Sequence, residues 1–335
     1  MSMTSRNPRR KLILIGLTIL MLVLLGYGFD AFFMLSKLND ATDRWIADRV
    51  AQGWAISHKE IKPKLYFDHV SLRIPNPAIS ANAVQWTGEY LSVSQYFLDP
   101  NHFKIVVNGI NSIQWPDAKV AISVYPLRIN FHVSRSDGSI TDINATANDV
   151  QWVKDDSSAI FAQALGLSLS AINPAQGHTK PFANFIGTVA GLEYKTPSAA
   201  PASPISVVEV RGTIMGQPPM TLPQDSFNHW SADGGTLEVS QFVLQWPPVK
   251  VEGDGTVAFD TSLKPVAAFA THVQGLVQLA DSLRQTSAVS ESDAETLRSA
   301  AHSQNGSAIP ITVQNGKIWM GSVAIADQPT LPWVK

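Results

Sequence analysis

The chain has 335 residues, a net charge of −2, no cysteine, 45% hydrophobic residues and only 16% charged ones. The near-neutral balance excludes a global field for nucleic acid, and no basic cluster lies beyond the N-terminus to bind it. The missing cysteines exclude disulfide scaffolds, thiolate metal sites and cysteine nucleophiles.

The first eleven residues form a basic tail, with Arg6, Arg9, Arg10 and Lys11 close together. Leu12 to Phe29 then runs without a charge. Eighteen helical residues span about 27 Å, close to the hydrocarbon thickness of a bilayer. Apolar character resumes after Asp30, so residues 12–35 read as a transmembrane anchor. The positive-inside rule places the basic tail in the cytoplasm and everything after Leu35 outside it. A rival reading is a cleaved signal peptide, for which Gly26-Tyr27-Gly28 offers a small-x-small site. Both readings export the rest. The localisation they imply is the bacterial inner membrane, single-pass, with the C-terminal region periplasmic.

Residues 36–58 read as a juxtamembrane helix. Met34, Leu38, Ala41 and Trp45 have helical spacing, and the pattern ends near Gly53.

Residues 59–195 then change period. Val120, Ile122 and Val124 share one strand face; after Pro126, Leu127, Ile129, Phe131 and Val133 share one face of the next run. Leu165, Leu167 and Leu169 alternate with Gly166, Ser168 and Ser170. Period-two alternation predicts strands with one apolar and one polar face. Six Asn-Gly or Asp-Gly pairs, beginning at Asn108, Asp137, Asp233, Asp254, Asn305 and Asn315, read as hairpin turns.

Thr196 to Pro204, within the composition TPSAAPASP, reads as a linker. A second β-rich half follows over 205–335. It contains a predicted helical pair near 275–304, with a break at about 287–290 and a capping box at Ser292 and Glu295. A shorter helix is expected over 224–230. The fold class is therefore mainly β (α+β): an N-terminal transmembrane helix, a large antiparallel curved sheet and a C-terminal helical pair.

Leu91 to Gly109 and Leu237 to Gly255 align over nineteen positions without a gap, which suggests that one β-hairpin unit serves both halves; a true repeat would allow, but does not require, one continuous curved sheet. An apolar-Gln-Trp signature recurs at Trp86, Trp115, Trp152 and Trp246. Packing at strand ends is its ordinary meaning. If a hydrophobic ligand binds, these four tryptophans are the candidate contacts.

Taken together, several features resemble a bacterial family, domain of unknown function 2125. They are the basic N-terminus, the single membrane helix, Trp45 and Gly53-Trp54. They also include Trp230-x-x-x-Gly234-Gly235-Thr236-Leu237, Leu244-Gln245-Trp246, Gly253-Asp254-Gly255, Gly316-Lys317-Ile318 and Leu331-Pro332. Pro247-Pro248 and Tyr66-Phe67-Asp68 depart from the pattern. The resemblance implies membrane anchoring and an envelope location, and no known activity. A looser likeness is to AsmA-like β-rich envelope proteins, associated with lipid handling.

Chemistry is sparse. No two of the eight histidines are spaced i, i+2 or i, i+4, and no H-E-x-x-H, G-x-S-x-G or phosphate-binding loop appears. No catalytic residue, metal ligand or cofactor is assigned. His58, Glu60, Asp68 and His69 could form one edge of a metal site, but a solvated strand face explains them. Three functions follow: a protein binding lipid or another hydrophobic ligand, a structural or interaction protein of the envelope, and, with least support, an exported hydrolase. The partners expected are the membrane, lipid or other envelope proteins.

Overall fold

The computed structural model describes residues 8–81, 84–115, 118–154, 158–172, 180–195, 204–218, 229–260, 264–285, 289–303 and 308–328. The linker read at 196–204 therefore lies almost wholly outside the described residues, as do the Asn305-Gly306 pair, Leu331-Pro332 and most of the helix expected at 224–230. Of that last segment, His229–Ala232 is seen as one helical turn.

One helix, α1, runs unbroken from Pro8 to Ala51. At 1.5 Å per residue its 44 residues reach about 66 Å, twice the thickness of a bilayer core. It ends before Gly53, whose φ of +87° turns the chain. The apolar run and the amphipathic stalk are thus a single rod. Residues 55–57, expected to be helical, form a strand.

The remaining chain builds one antiparallel sheet. Its strands are β1 (Ala55–Ser57), β2 (Lys62–Leu65), β3 (His69–Pro75), β4 (Ala78–Ala81), β5 (Val84–Thr87), β6 (Tyr90–Tyr96), β7 (His102–Trp115), β8 (Ala118–Val133), β9 (Ile140–Lys154), β10 (Ser158–Ser170), β11 (Pro181–Lys195), β12 (Ile205–Met215), β13 (Thr236–Trp246), β14 (Val249–Phe259), β15 (Pro265–Gln274), β16 (Ile309–Gln314), β17 (Lys317–Met320) and β18 (Val323–Asp327). From β7 to β18 each strand pairs with the next. The free edge of β7 is shared. β6 pairs with its first half and carries β3 and β2, while β5 pairs with residues 112–114 and carries β4 and β1. The sheet is open and curved. Both halves belong to it.

Register explains why the sheet has two distinct faces. Directly opposed residues share a face. One row across the strands reads Ile74, Leu91, Val107, Leu127, Ala147, Leu165, Val189, Val208, Leu244, Val251, Val273. Every member is apolar. The adjacent row on the other face reads Val106, Arg128, Thr146, Gly166, Thr188, Glu209, Val243, Glu252, His272. It is mostly polar. This is the alternation predicted from sequence, now aligned over eleven strands.

The two apolar runs of residues 120–133 are joined in one strand, β8. Val107 opposes Leu127 while Gly109 opposes Val124, so β8 holds one extra residue at Tyr125-Pro126. Asn108-Gly109 therefore sits inside a strand as part of a bulge, with Gly109 at φ +81°, and makes no hairpin turn. Asp254-Gly255 is also inside a strand, β14. Of the remaining pairs, Asp137-Gly138 and Asn315-Gly316 form the tight connections β8–β9 and β16–β17. Asp233-Gly234 ends the helical turn at 229–232.

The distortion at Gly109 continues. Asp149 in β9 and Gly191 in β11 have positive φ, 49° and 60°. The ladders skip the facing positions 124–126 with 148–150, 149 with 163, and 162–163 with 191–192. A crease thus crosses β7 to β11. It lets the apolar set change phase by one residue without leaving its face.

The aligned segments 91–109 and 237–255 both form antiparallel hairpins, but in different registers. Leu91 opposes Val107, sixteen residues on, whereas Leu237 opposes Val257, twenty residues on. The first hairpin spends residues 97–101 on its turn, the second only Pro247-Pro248. What the segments share is the alternation, not a common turn.

Candidate functional site

Helices cover the apolar face at two ends. At the first, Ala31, Met34 and Leu38 of α1 are buried against Val70 and Leu72, with Val93, Phe97 and Phe103 alongside. At the second lie α2 (Leu276–Gln285) and α3 (Glu291–Ser303). Leu276, Leu279, Ala280, Ala294 and Leu297 pack on Val249, Val251, Val273, Ile309, Met320 and Val323. The helix α3 starts two residues earlier than the predicted capping box at Ser292 and Glu295 implies. Ser290 Oγ accepts the Asp293 N–H at 3.1 Å, so Ser290 is the cap.

Between these ends lie β8 to β12. Among the described residues neither buried cluster includes a member of these strands. Their apolar face is nevertheless continuous. Phe131, Ile143, Leu169 and Phe185 form one row, and Ile129, Ala145, Leu167, Gly187 and Val210 the next. Most of these side chains are half-buried, and Leu167 is 44% exposed. The result is an apolar trough, floored by five strands and closed at each end by helix. Asn111 is a polar point on its wall beyond the crease. It is buried, and its Nδ2 donates to the Gly109 carbonyl at 3.0 Å while Oδ1 meets no partner.

The four candidate tryptophans divide between the trough and its ends. Trp152 opposes Ile122 and Ile160 on the apolar face and is 36% exposed. Trp86 opposes Ile113 on β7. Trp115 ends β7, and its side chain lies outside the described residues. Trp246 is part of the packed end beneath α2 and α3. The described side chains among them, Trp86, Trp152 and Trp246, lie on separate strands, β5, β9 and β13. The sequence signature marked strand ends, whereas the trough is lined chiefly by aliphatic rows.

The α1 end has a second feature. Tyr27, near the end of the apolar run, places its hydroxyl 2.8 Å from the Tyr66 carbonyl and 3.1 Å from that of Phe67. Its ring meets Phe97 edge-on at 5.1 Å. The turns that hold these residues end in bare apolar tips. Phe67 is 93% exposed and Leu98 is 100% exposed. Trp45, further along α1, meets Trp54 edge-on, with Arg49 over both rings.

On the polar face, beneath the same turns, aromatic and imidazole rings stack across four strands. Tyr66 stacks on His69, Tyr96 on His102 and His102 on His132, while His69 meets Tyr96 at a tilt of 39°. His132 Nδ1 lies 2.7 Å from Asp142 Oδ1 and its Nε2 lies 3.3 Å from Asp99 Oδ2. The hydrogen bond to Asp142, more than any other influence, raises the His132 pKa. Asp68, hydrogen-bonded to His69 at 2.6 Å, is held below the usual carboxylate range. Sequence reading singled out Asp68 and His69 but not Asp99, His102, His132 or Asp142. Those four become neighbours only through strand register.

The protein is therefore an open, curved, antiparallel sheet with an N-terminal helix long and apolar enough to cross a membrane. It belongs to a family of uncharacterised proteins conserved in bacteria, domain of unknown function 2125, whose signature matches residues 31–329. No curated protein and no solved structure matches the chain.

Proposed function

We propose that this protein is a membrane-anchored envelope protein that holds a lipid acyl chain, or a comparable hydrophobic ligand, in the trough of β8 to β12. The observation that carries this reading is the unbroken apolar face left between two helix-covered ends. A soluble domain buries such a face, and a contiguous exposed apolar surface marks a binding site. The α1 end supports a membrane source for the ligand. The bare tips Phe67 and Leu98 lie beside Tyr27, at the end of the apolar run, where amphipathic aromatic rings favour the headgroup level. In this reading α1 crosses the inner membrane, the basic tail is cytoplasmic and the sheet is periplasmic.

The test is site-specific photocrosslinking in intact cells. A photoreactive residue replaces Leu167 or Ile129 on the apolar face, or Asn144 or Ser168 on the polar face. Mass spectrometry then reads the adducts. The reading requires lipid adducts from the first pair and none from the second. Equal labelling of both faces, or adducts with protein alone, refutes it.

The interaction-protein reading finds less support. The exposed edge strand β2 carries Lys62, Pro63 and Lys64. Lysine and proline on an edge discourage strand addition.

A further inference from the structure

We propose that Asp99, His102 and His132 form a binding site for a borderline divalent transition-metal ion of the zinc class. This inference is independent of the trough and does not rest on the lipid reading.

The site is assembled from one turn and two strands. Asp99 lies in the β6–β7 turn, and its carbonyl accepts the backbone N–H of His102 at 3.0 Å. His102 opens β7 and is paired directly with His132 of β8. One ligand atom from each of the three residues lies within 4.8 Å of the others. Two ligands bound tetrahedrally at about 2.0–2.1 Å sit roughly 3.4 Å apart, so the cluster needs to contract by no more than about 1.4 Å.

The hydrogen bonding around His132 already has the form that a metal ligand needs. A ligating histidine donates its other N–H to a carboxylate or carbonyl, which sets the tautomer and aims the free nitrogen. His132 Nδ1 is so placed on Asp142 Oδ1, at 2.7 Å, leaving Nε2 toward Asp99. Asp142 is itself held, since Thr141 Oγ1 donates to its Oδ2 at 3.0 Å. The His102 ring is clamped between Tyr96 and His132, both at 4.6 Å. Its Nε2 is buried and meets no hydrogen-bond partner. Orphaned buried polar atoms are uncommon in folded proteins and point to an ion or water. Two imidazoles and one carboxylate suit zinc, cobalt or iron(II) rather than magnesium or calcium, which prefer all-oxygen shells. Three protein ligands leave a coordination position for water. Bound there, the ion clips the turn bearing Leu98 to β7 and β8.

The experiment titrates zinc chloride into chelator-stripped, full-length protein in detergent micelles. Isothermal calorimetry reads stoichiometry, and heteronuclear NMR of the imidazoles reads which nitrogens respond. The expected result is one ion per chain, with the Nε2 signals of His102 and His132 shifted and no response to magnesium chloride. Asp99→Asn and His132→Phe abolish binding; the phenyl ring keeps the stack on His102, so this variant retains the fold. Asp142→Asn keeps all three ligands and weakens binding about 10- to 100-fold. Absence of stoichiometric binding, or binding that survives in Asp99→Asn and His132→Phe, overturns the proposal.

Discussion

Truncating two leucines should cost very different amounts if the apolar face is packed at its ends and open between them. Leu297 of α3 is 2% exposed, within the cluster formed by α2, α3 and β14 to β18. Leu297→Ala loses the transfer free energy of the removed carbons and leaves a cavity. Such sites cost about 2.7–5 kcal/mol. Leu167 on β10 is already 44% exposed. Leu167→Ala loses only the buried part of its transfer term and opens no closed cavity. That loss is about 1 kcal/mol, half of a full leucine burial. At about 2–4 °C per kcal/mol, the midpoints should fall by roughly 5–20 °C for Leu297→Ala and 2–4 °C for Leu167→Ala. Circular dichroism melts of the full-length protein, in one detergent for both variants, provide the comparison. Equal losses would mean that Leu167 is enclosed as tightly as Leu297, and the trough would then be an ordinary core.

Three more predictions concern other parts of the molecule. Ser290→Ala removes the cap of α3 and should cost about 1 kcal/mol in chemical denaturation; a cost below a few tenths would reassign the cap. Removing residues 1–35 strips Ala31 and Met34 from Val70 and Leu72, so this fragment should lose roughly 2–4 kcal/mol relative to one beginning at residue 30, read by urea unfolding. Identical midpoints would show that α1 is not part of the folded core. Asp137 accepts the Ser139 N–H at 3.1 Å and its hydroxyl at 2.8 Å, which hold its carboxyl below the ordinary 3.8. A depressed carboxylate stabilises the fold above its unfolded pKa, and that stabilisation fades as pH falls through the folded value. Ser139→Ala should bring the Asp137 pKa part way back up in a carbon-detected NMR titration, and an unmoved curve would refute the assignment.

Much of this fold is legible in the sequence because its physics is local. An uncharged run of eighteen residues specifies α1, and period-two alternation specifies the strands and their faces. Leu276, Leu279 and Leu283 declare α2 by spacing. Turn chemistry was less informative. Gly109 and Gly255 occupy strand interiors, where a bulge or a close backbone approach wants glycine, and nothing in the dipeptide separates that from a hairpin turn. The register of the two aligned hairpins was also hidden, because turn length sets register and the apolar pattern tolerates a slide by an even number of residues. The site was hardest to read. Leu127, Leu165 and Val208 are remote in sequence, and only pairing lines them up. His102 and His132 lie thirty positions apart and meet as a cross-strand pair.

The crease offers the sharpest check on why the apolar face stays continuous. On β8 the apolar set is odd-numbered from Leu127 to Val133 and even-numbered from Val120 to Val124. A regular strand would send one set to the polar face. The crease removes that conflict at the expense of unusual backbone geometry, and Gly191 supplies it at φ +60°. An alanine Cβ there would lie 2.5 Å from the Gln163 side chain. The left-handed conformation alone costs a non-glycine residue about 1–2 kcal/mol. Gly187, four residues earlier on the same strand, has open space where a Cβ would project and no positive φ. Alanine there restricts the unfolded chain and should stabilise by about 0.5 kcal/mol. Gly191→Ala and Gly187→Ala should therefore shift the urea midpoint in opposite directions. If both destabilise to the same degree, the backbone at 191 is not special, and the apolar phase change must be accommodated by something other than a crease.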